Sequence, residues 1–396
     1  MTADTEPKSG IRWGIAGPAL AFITLVAIYT VYWFSVTGEI RKQVEAFAAN
    51  PQHGLVTGWT EFSMRGYPYR IEASFMQPAA SAPDAPEAWE WRSERASVAL
   101  LPYNLRHAVL TLGNEHLIRY REPLDGGYSQ NEIRATAEKA QASYVDLKDL
   151  PFGRLAIDIN KLDAQHLRGT GNVSDRATLM RLQLHTRPAL TEQDELVPAA
   201  YDFALRAEGV TVESERRVPV LGNGMTHLLM QARLRNVPET RHVSVIELLD
   251  AWRDTGGTLA ISDLIVKWGP LDLTANGELS LDRRNRPAGR LNARVTDFKG
   301  LVDAITAEGI VSEDEARIAL AGLILVSQFQ GNRSDEVEVP IIMEKGRLYL
   351  GPLAIGKLAP LYLIRSASSE PACGRNSAHP YPVPHRRWSG GWRVCA

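Results

Sequence analysis

From residue 152 to residue 234 the sequence keeps one rhythm, with apolar residues at alternate positions and turn residues between the runs. Leu155, Ile157 and Ile159 alternate with Ala156, Asp158 and Asn160. Leu182 and Leu184 follow Met180 and alternate with Arg181, Gln183 and His185; Tyr201, Phe203, Leu205 and Ala207 alternate with Asp202, Ala204 and Arg206. Successive side chains of a strand point to opposite faces, so each run makes a strand with one apolar and one polar face. Strands of that kind, joined by turns, build an antiparallel sheet. The same period occurs earlier, where Tyr69, Ile71, Ala73 and Phe75 alternate with Arg70, Glu72 and Ser74 after a Gly66-Tyr67-Pro68 turn. Residues 89–91 and 98–100 also read as strands. Residues 109–112 and 116–120 read as a hairpin about Gly113-Asn114, and 132–142 has helical composition.

Helices interrupt the rhythm later. Ser244-Val245-Ile246-Glu247 and Ser312-Glu313-Asp314-Glu315 have the spacing of capping boxes, in which serine and glutamate satisfy orphan backbone donors reciprocally. The first helix aligns Val245, Leu248, Leu249 and Trp252 and stops at Gly256-Gly257; the second turns Ala316, Leu320, Leu323 and Ile324 inward. Residues 301–308 form a short helix between them. Strands resume through 259–261, 265–268, 271–273, 279–281 and 291–295, and two strands over 337–344 and 347–355 close the domain. Residues 268–273 and 350–355 echo each other as Trp-Gly-Pro-Leu-Asp-Leu and Leu-Gly-Pro-Leu-Ala-Ile, which suggests a repeated sheet-building unit.

Ahead of the sheet, residues 13–38 carry no charge between Arg12 and Glu39. At about 1.5 Å per residue such a helix exceeds a hydrocarbon core of roughly 30 Å. Trp13 at one end and Tyr29, Tyr32 and Trp33 toward the other are placed as headgroup-level anchors. A cleaved signal peptide needs a shorter apolar region and a nearer small-x-small site than Ala46-Phe47-Ala48, so an uncleaved anchor is the preferred reading. Lys8 and Arg12 precede the span and Arg41 and Lys42 follow it, leaving the charge rule nearly balanced. The preferred orientation puts the N-terminus in the cytoplasm and the bulk of the chain in the periplasm, anchored by a single pass in the inner membrane. Residues 1–12 are then a cytoplasmic tip, 13–38 the anchor and 39–50 an amphipathic juxtamembrane helix. Residues 51–240 and 241–362 form two parts of one β-rich domain. The expected fold class is α+β, mainly β: a transmembrane helix followed by a curved, mostly antiparallel sheet with a few flanking helices. Beyond residue 362 the composition turns to Pro, Ser, Arg, Gly and Trp without periodicity, which reads as a disordered or aberrant tail over 363–396.

The chemistry motifs are few. A net charge of −2 provides no basic field for nucleic acid. Both cysteines, Cys373 and Cys395, lie in the tail without a CxxC neighbour, and the histidines show no metal-ligand spacing. Residues 351–357 match most of a phosphate loop, but Leu358 offers no hydroxyl and Ala359-Pro360 preclude the helix that such a loop needs. No catalytic motif, metal site or cofactor is expected, and the chain reads as a non-enzyme. Trp252, Arg253, Trp268 and Leu271 are the candidate ligand groove, with aromatic walls and one cation for an anionic headgroup. The plainer reading of the same residues is helix–sheet core with an exposed arginine.

Several segments together resemble a known family: the anchor with its Trp33-Phe34, Gly66-Tyr67-Pro68-Tyr69-Arg70, Trp89-x-Trp91, and residues 182–187 followed by Pro188. Further on come Trp252-Arg253-x-x-Gly256-Gly257, Trp268-Gly269-Pro270-Leu271, Gly277-x-Leu279-x-Leu281-Asp282 and Gly346-x-Leu348-x-Leu350-Gly351-Pro352. The ordered set, over roughly residues 12–362, resembles the alphaproteobacterial domain of unknown function 2125 family. That resemblance implies an N-terminal anchor and a β-rich region and carries over no catalytic residue. The second half is also distantly similar to AsmA-type envelope proteins, whose curved sheet has an apolar groove implicated in lipid handling; this is analogy at the level of fold. The expected partners are the membrane, a lipid or other envelope amphiphile, and other envelope proteins. The rival expectation is a structural scaffold with no small-molecule ligand.

Overall fold

The computed structural model describes residues 13–50, 55–82, 88–124, 127–148, 150–168, 172–214, 221–239, 245–309, 311–330, 335–351 and 353–361. Helix α1 spans Trp13–Ala49 without a break, so the expected anchor and juxtamembrane helix are one element. Its Pro18 lies near the start, where a missing N–H costs little. The strands are β1 (Val56–Gly58), β2 (Glu61–Arg65), β3 (Ile71–Met76), β4 (Ala79–Ala82), β5 (Trp89–Ser93), β6 (Arg95–Leu101), β7 (Asn104–Leu112), β8 (Glu115–Leu124) and β9 (Gly127–Val145). They continue with β10 (Arg154–Arg168), β11 (Asn172–Leu190), β12 (Leu196–Ser214) and β13 (Gly224–Arg235). After helix α2 (Val245–Asp254) come β14 (Thr258–Trp268), β15 (Leu271–Leu281) and β16 (Pro287–Thr296). Helices α3 (Phe298–Ala307) and α4 (Glu313–Phe329) precede β17 (Glu336–Glu344), β18 (Arg347–Leu350) and β19 (Leu353–Lys357).

Among the described residues all nineteen strands belong to one sheet, and every ladder is antiparallel. The order of neighbours follows the chain once the short strands are joined. β1 and β2 pair with β4 and β3, β5 and β6 pair in turn with β4 and β3, and β8 and β7 pair with β5 and β6. Both β7 and β8 then lie along the same edge of β9, end to end. The eight short segments are therefore four passes broken in the middle, and the whole sheet is a meander. The expected hairpin about Gly113-Asn114 is one of these breaks: β7 and β8 pair with β9 and not with each other. The expected helix over 132–142 is part of β9.

The breaks form a line across the sheet. They fall between β1 and β2, at Gln77-Pro78, at Glu94 and at Gly113-Asn114, and continue through Glu138, Lys161, Met180, Gly209 and Thr226, none of which is a ladder pair. Gln77 (φ 48°), Lys161 (φ 47°) and Gly209 (φ 59°) have left-handed backbone there. An irregular residue in a ladder bends a strand and raises its twist, so a row of them makes a crease. The apolar alternation resumes out of phase beyond it: Ile157 and Ile159 give way to Leu162 and Ala164.

Register makes one face apolar across the sheet. Met64, Ala73, Val98, Leu110, Ala142, Ile157, Leu184 and Leu205 are successive cross-strand partners. The same rung continues through Met230, Leu264, Ala275, Ala293 and Val339. Helices α3 and α4 cover its C-terminal end. Phe298, Leu301, Val302, Ile305, Ala319 and Leu323 pack with Leu291, Val295 and Val337 in a buried cluster that reaches back only to Met230 and Ala232 of β13. Val295 is 0% and Phe298 1% exposed. The Ser312–Glu315 capping box is present, with Glu315 N donating to Ser312 Oγ at 3.3 Å and Ser312 N to Glu315 Oε2 at 3.0 Å. Ser244, and with it the other expected capping box, lies outside the described residues, as do residues 1–12 and the tail beyond residue 361.

Candidate functional site

The residues expected to line one groove lie at opposite ends of β14. Trp252 donates its indole N–H to Arg235 O at 2.9 Å, and its ring covers Gly257 so closely that a Cβ there would meet it at 2.3 Å. The neighbouring Gly256 is left-handed (φ 70°) and ends the helical segment. Arg253 is mostly buried and pairs with Asp250 at 2.7 Å and Asp254 at 2.8 Å, and it also donates to the fully buried Asn285. At the far end, Trp268 donates to Gly222 O at 2.8 Å, and Leu271 packs against the helix-covered core. Residues at the two ends of β14 are separated by its eleven residues, roughly 35 Å at strand rise. Trp252, Arg253, Trp268 and Leu271 therefore form two structural corners, and the expected groove between them is not built.

The aromatic anchors also have a different task. Trp33 is 4% exposed and donates its indole N–H to Arg70 O at 3.1 Å, so it packs on the β domain and does not face lipid. Tyr32 Oη donates to Pro102 O at 2.7 Å and Tyr29 Oη to Pro68 O. Tyr67 stacks on Phe34, with ring centroids 6.0 Å apart, and meets Trp33 edge-on at 5.4 Å. The Gly66-Tyr67-Pro68-Tyr69-Arg70 motif is thus the socket for the helix. Farther along, the Arg41 guanidinium lies 4.9 Å from the centre of the Phe62 ring. Before Tyr29 the helix is bare: residues 18–28 are exposed. The side chain of Trp13 lies outside the described ones. Among the described residues, α1 is the one helix long and apolar enough to cross a membrane.

Two surfaces remain as candidates. The first is the apolar face over β9–β12, where Leu155, Ile157, Ile159, Leu182, Leu184 and Leu205 are only half-buried. The helix-covered cluster does not extend onto these strands. The second is on the opposite face, a depression of about 1080 Å³. Its floor is made of small residues, among them Ser143, Ala156, Ala204, Ala260 and Ser262. Cross-strand register sets Ser143, Ala156, His185, Ala204 and Gln231 in one row. Long side chains stand around that floor: Arg154, Arg187, Arg233, Arg235 and His107, with Asp202 as the acidic residue in the lining. A second depression of about 520 Å³ adjoins it through Ser262.

A polar network that the sequence did not signal lies beyond the crease. His166 Nδ1 is 3.0 Å from Asp175 Oδ2, and His166 Nε2 is 3.2 Å from Tyr120 Oη and 3.3 Å from Asn131 Oδ1. Ser214 and Ser174 also donate to Asp175, and these bonds, with the His166 contact and nearby Arg168, lower its pKa to about 2. Burial foremost raises the Tyr120 hydroxyl above its ordinary value. The ends of β10 and β11 bring His166 and Asp175 together as cross-strand partners. The signal in the sequence was only that both lie within a few residues of the link between β10 and β11, a placement that many strand pairs share.

The fold defines a class: one large, unclosed antiparallel sheet behind an apolar N-terminal helix that is compatible with a single-pass membrane anchor. A family model described as "uncharacterized protein conserved in bacteria (DUF2125)" matches residues 33–359. The chain belongs to that family. The match begins at Trp33, the residue that joins helix to sheet. No curated protein and no solved structure matches the chain.

Proposed function

We propose that this protein is held in the bacterial inner membrane by α1, with its sheet in the periplasm, and that it binds or guides a lipid or another envelope amphiphile without catalysing a reaction. The observation that carries this reading is the apolar face, continuous in register from β2 to β17, whose stretch over β9–β12 lies outside the cover of α3 and α4. An extended apolar surface of that kind is stable in water only when something covers it, and acyl chains are a cover available beside a membrane. The anchor supports the same reading. From Trp13 to Trp33 the helix rises about 30 Å, the thickness of a hydrocarbon core. Its socket therefore sits at headgroup depth, where Tyr69 and Tyr103, both 84% exposed, are suited to the interface. An apolar path then runs from the membrane edge into the sheet. The distant AsmA likeness points the same way as an analogy of fold.

The test is native mass spectrometry and lipid extraction of the full chain purified from membranes in mild detergent. A stoichiometric amphiphile is expected, and Leu184→Asp should release it while the circular dichroism of the sheet is kept. A lipid-free, stable protein, or lipid retained by the variant, would overturn the proposal and favour a scaffold that meets other envelope proteins.

A further inference from the structure

The depression on the polar face is built for something other than an acyl chain. Four arginines stand in its lining against one aspartate. Asp202 is shared by Arg233, whose Nε donates at 2.8 Å, and Arg187, at 3.5 Å. Arg235 reaches Glu278 only at 3.9 Å, with both side chains half exposed. Arg154 has no ion pair among the described residues. The register Leu155↔Thr186 sets Arg154 beside Arg187 on the adjacent strand, one step along. Like charges opposite each other in neighbouring strands are destabilising, and of the two only Arg187 has a carboxylate partner, Asp202, among the described residues. The floor beneath is alanine and serine, so the guanidinium groups rim an open space in place of filling it. His185, flanked by Ala156 and Ala204, has no hydrogen-bond partner among the described residues.

We infer that this trough is a binding site for a ligand bearing a phosphate or carboxylate group, held by Arg154, Arg187, Arg233 and Arg235. Guanidinium forks match both groups bidentately, and an anion between Arg154 and Arg187 replaces their repulsion with two charge-assisted pairs. The arginines lie at the strand ends on the α1-socket side of the crease, the side on which β7 begins and β9 ends. A phospholipid headgroup and a soluble phosphorylated compound share the chemistry. The site is on the opposite face from the proposed acyl surface, so either can fail without the other.

The experiment uses the full chain in nanodiscs of neutral phosphatidylcholine. Inorganic pyrophosphate and short-chain dihexanoyl phosphatidic acid are titrated separately by calorimetry. Saturable binding of at least one probe is expected. Arg154→Gln should weaken it by about tenfold or more, the scale of one charge-assisted hydrogen bond, at unchanged melting temperature. Arg154→Lys should restore part of the affinity. Binding of the lipid alone identifies a headgroup with its chains, and binding of both identifies a free anion as sufficient. Neither probe binding, or the glutamine variant binding like the wild type, would overturn the assignment. Should Arg154→Gln fail to fold, loss of binding with Arg235→Gln serves the same purpose.

Discussion

Strands β9–β12 and β13–β17 carry the same alternation on the same face of the same sheet, yet one region is a core and the other a surface. In β13–β17 the inward residues Ala232, Ile261, Leu273, Leu291, Val295 and Val337 are buried beneath α3 and α4. In β9–β12 residues on the same face, such as Ile157, Leu184 and Leu205, stay half-buried. Period two decides which way a side chain points, and only a second layer decides whether it leaves water. The helices are therefore what turns a stretch of this sheet into a conventional domain. The stretch without them keeps its apolar face available to a ligand or partner.

The sharpest way to break this comparison is to make one change in both regions. Phe298→Ala, beneath the helices, should cost about 3–5 kcal/mol in urea unfolding. Phe203→Ala, on the uncovered face, should cost less than half as much, because the ring is already partly in water and leaves no closed cavity. Equal losses would mean that the middle of the sheet is covered after all.

Next in size is a pH effect confined to the region beyond the crease. Asp175 has its pKa lowered from 3.8 to about 2, so its contribution is fully present above the unfolded value and is lost as pH falls through the folded one. Stability on the order of 2 kcal/mol should disappear between about pH 4 and about pH 2. Urea midpoints of the wild type and Asp175→Asn should differ near pH 5 and converge toward pH 2; a constant gap would remove the network from the account. The smallest effect should come from Ser312→Ala, which deletes the cap of α4 and loosens the helical cover by about 1 kcal/mol, read from the same unfolding curves. If it also raises amphiphile binding, the cover and the open face compete for the same surface.

Much of the strand content was legible, and its errors are instructive. Residues 132–142 looked helical because Ala, Glu and Lys are strong helix formers. In β9 the alanines serve instead as the small apolar side of a strand, where Ala137 and Ala140 are buried between neighbours, and pairing with β8, β7 and β10 overrides the propensity. Gly113-Asn114 looked like a hairpin turn because the dipeptide is one in isolation. Here the next strand continues along β9, and no local signal distinguishes a crease from a reversal. The tryptophan motifs were recognised as a pattern, but their spacing could not reveal that one corner of β14 holds Trp252 and the other Trp268.

The local facts were already written in the residues: an apolar helix at the start, strands with one wet and one dry side, the capping box on α4 and the glycine stop after Trp252. These depend on near neighbours in the chain, where periodicity and backbone propensity act. The long-range facts came from the tertiary structure: the strands form a single meander, a crease crosses it, Trp33 belongs to the socket, and four arginines from three strands surround one floor of alanine and serine. Those outcomes depend on register between distant segments, and register is set by the summed pairing of whole strands and by what lies over each face.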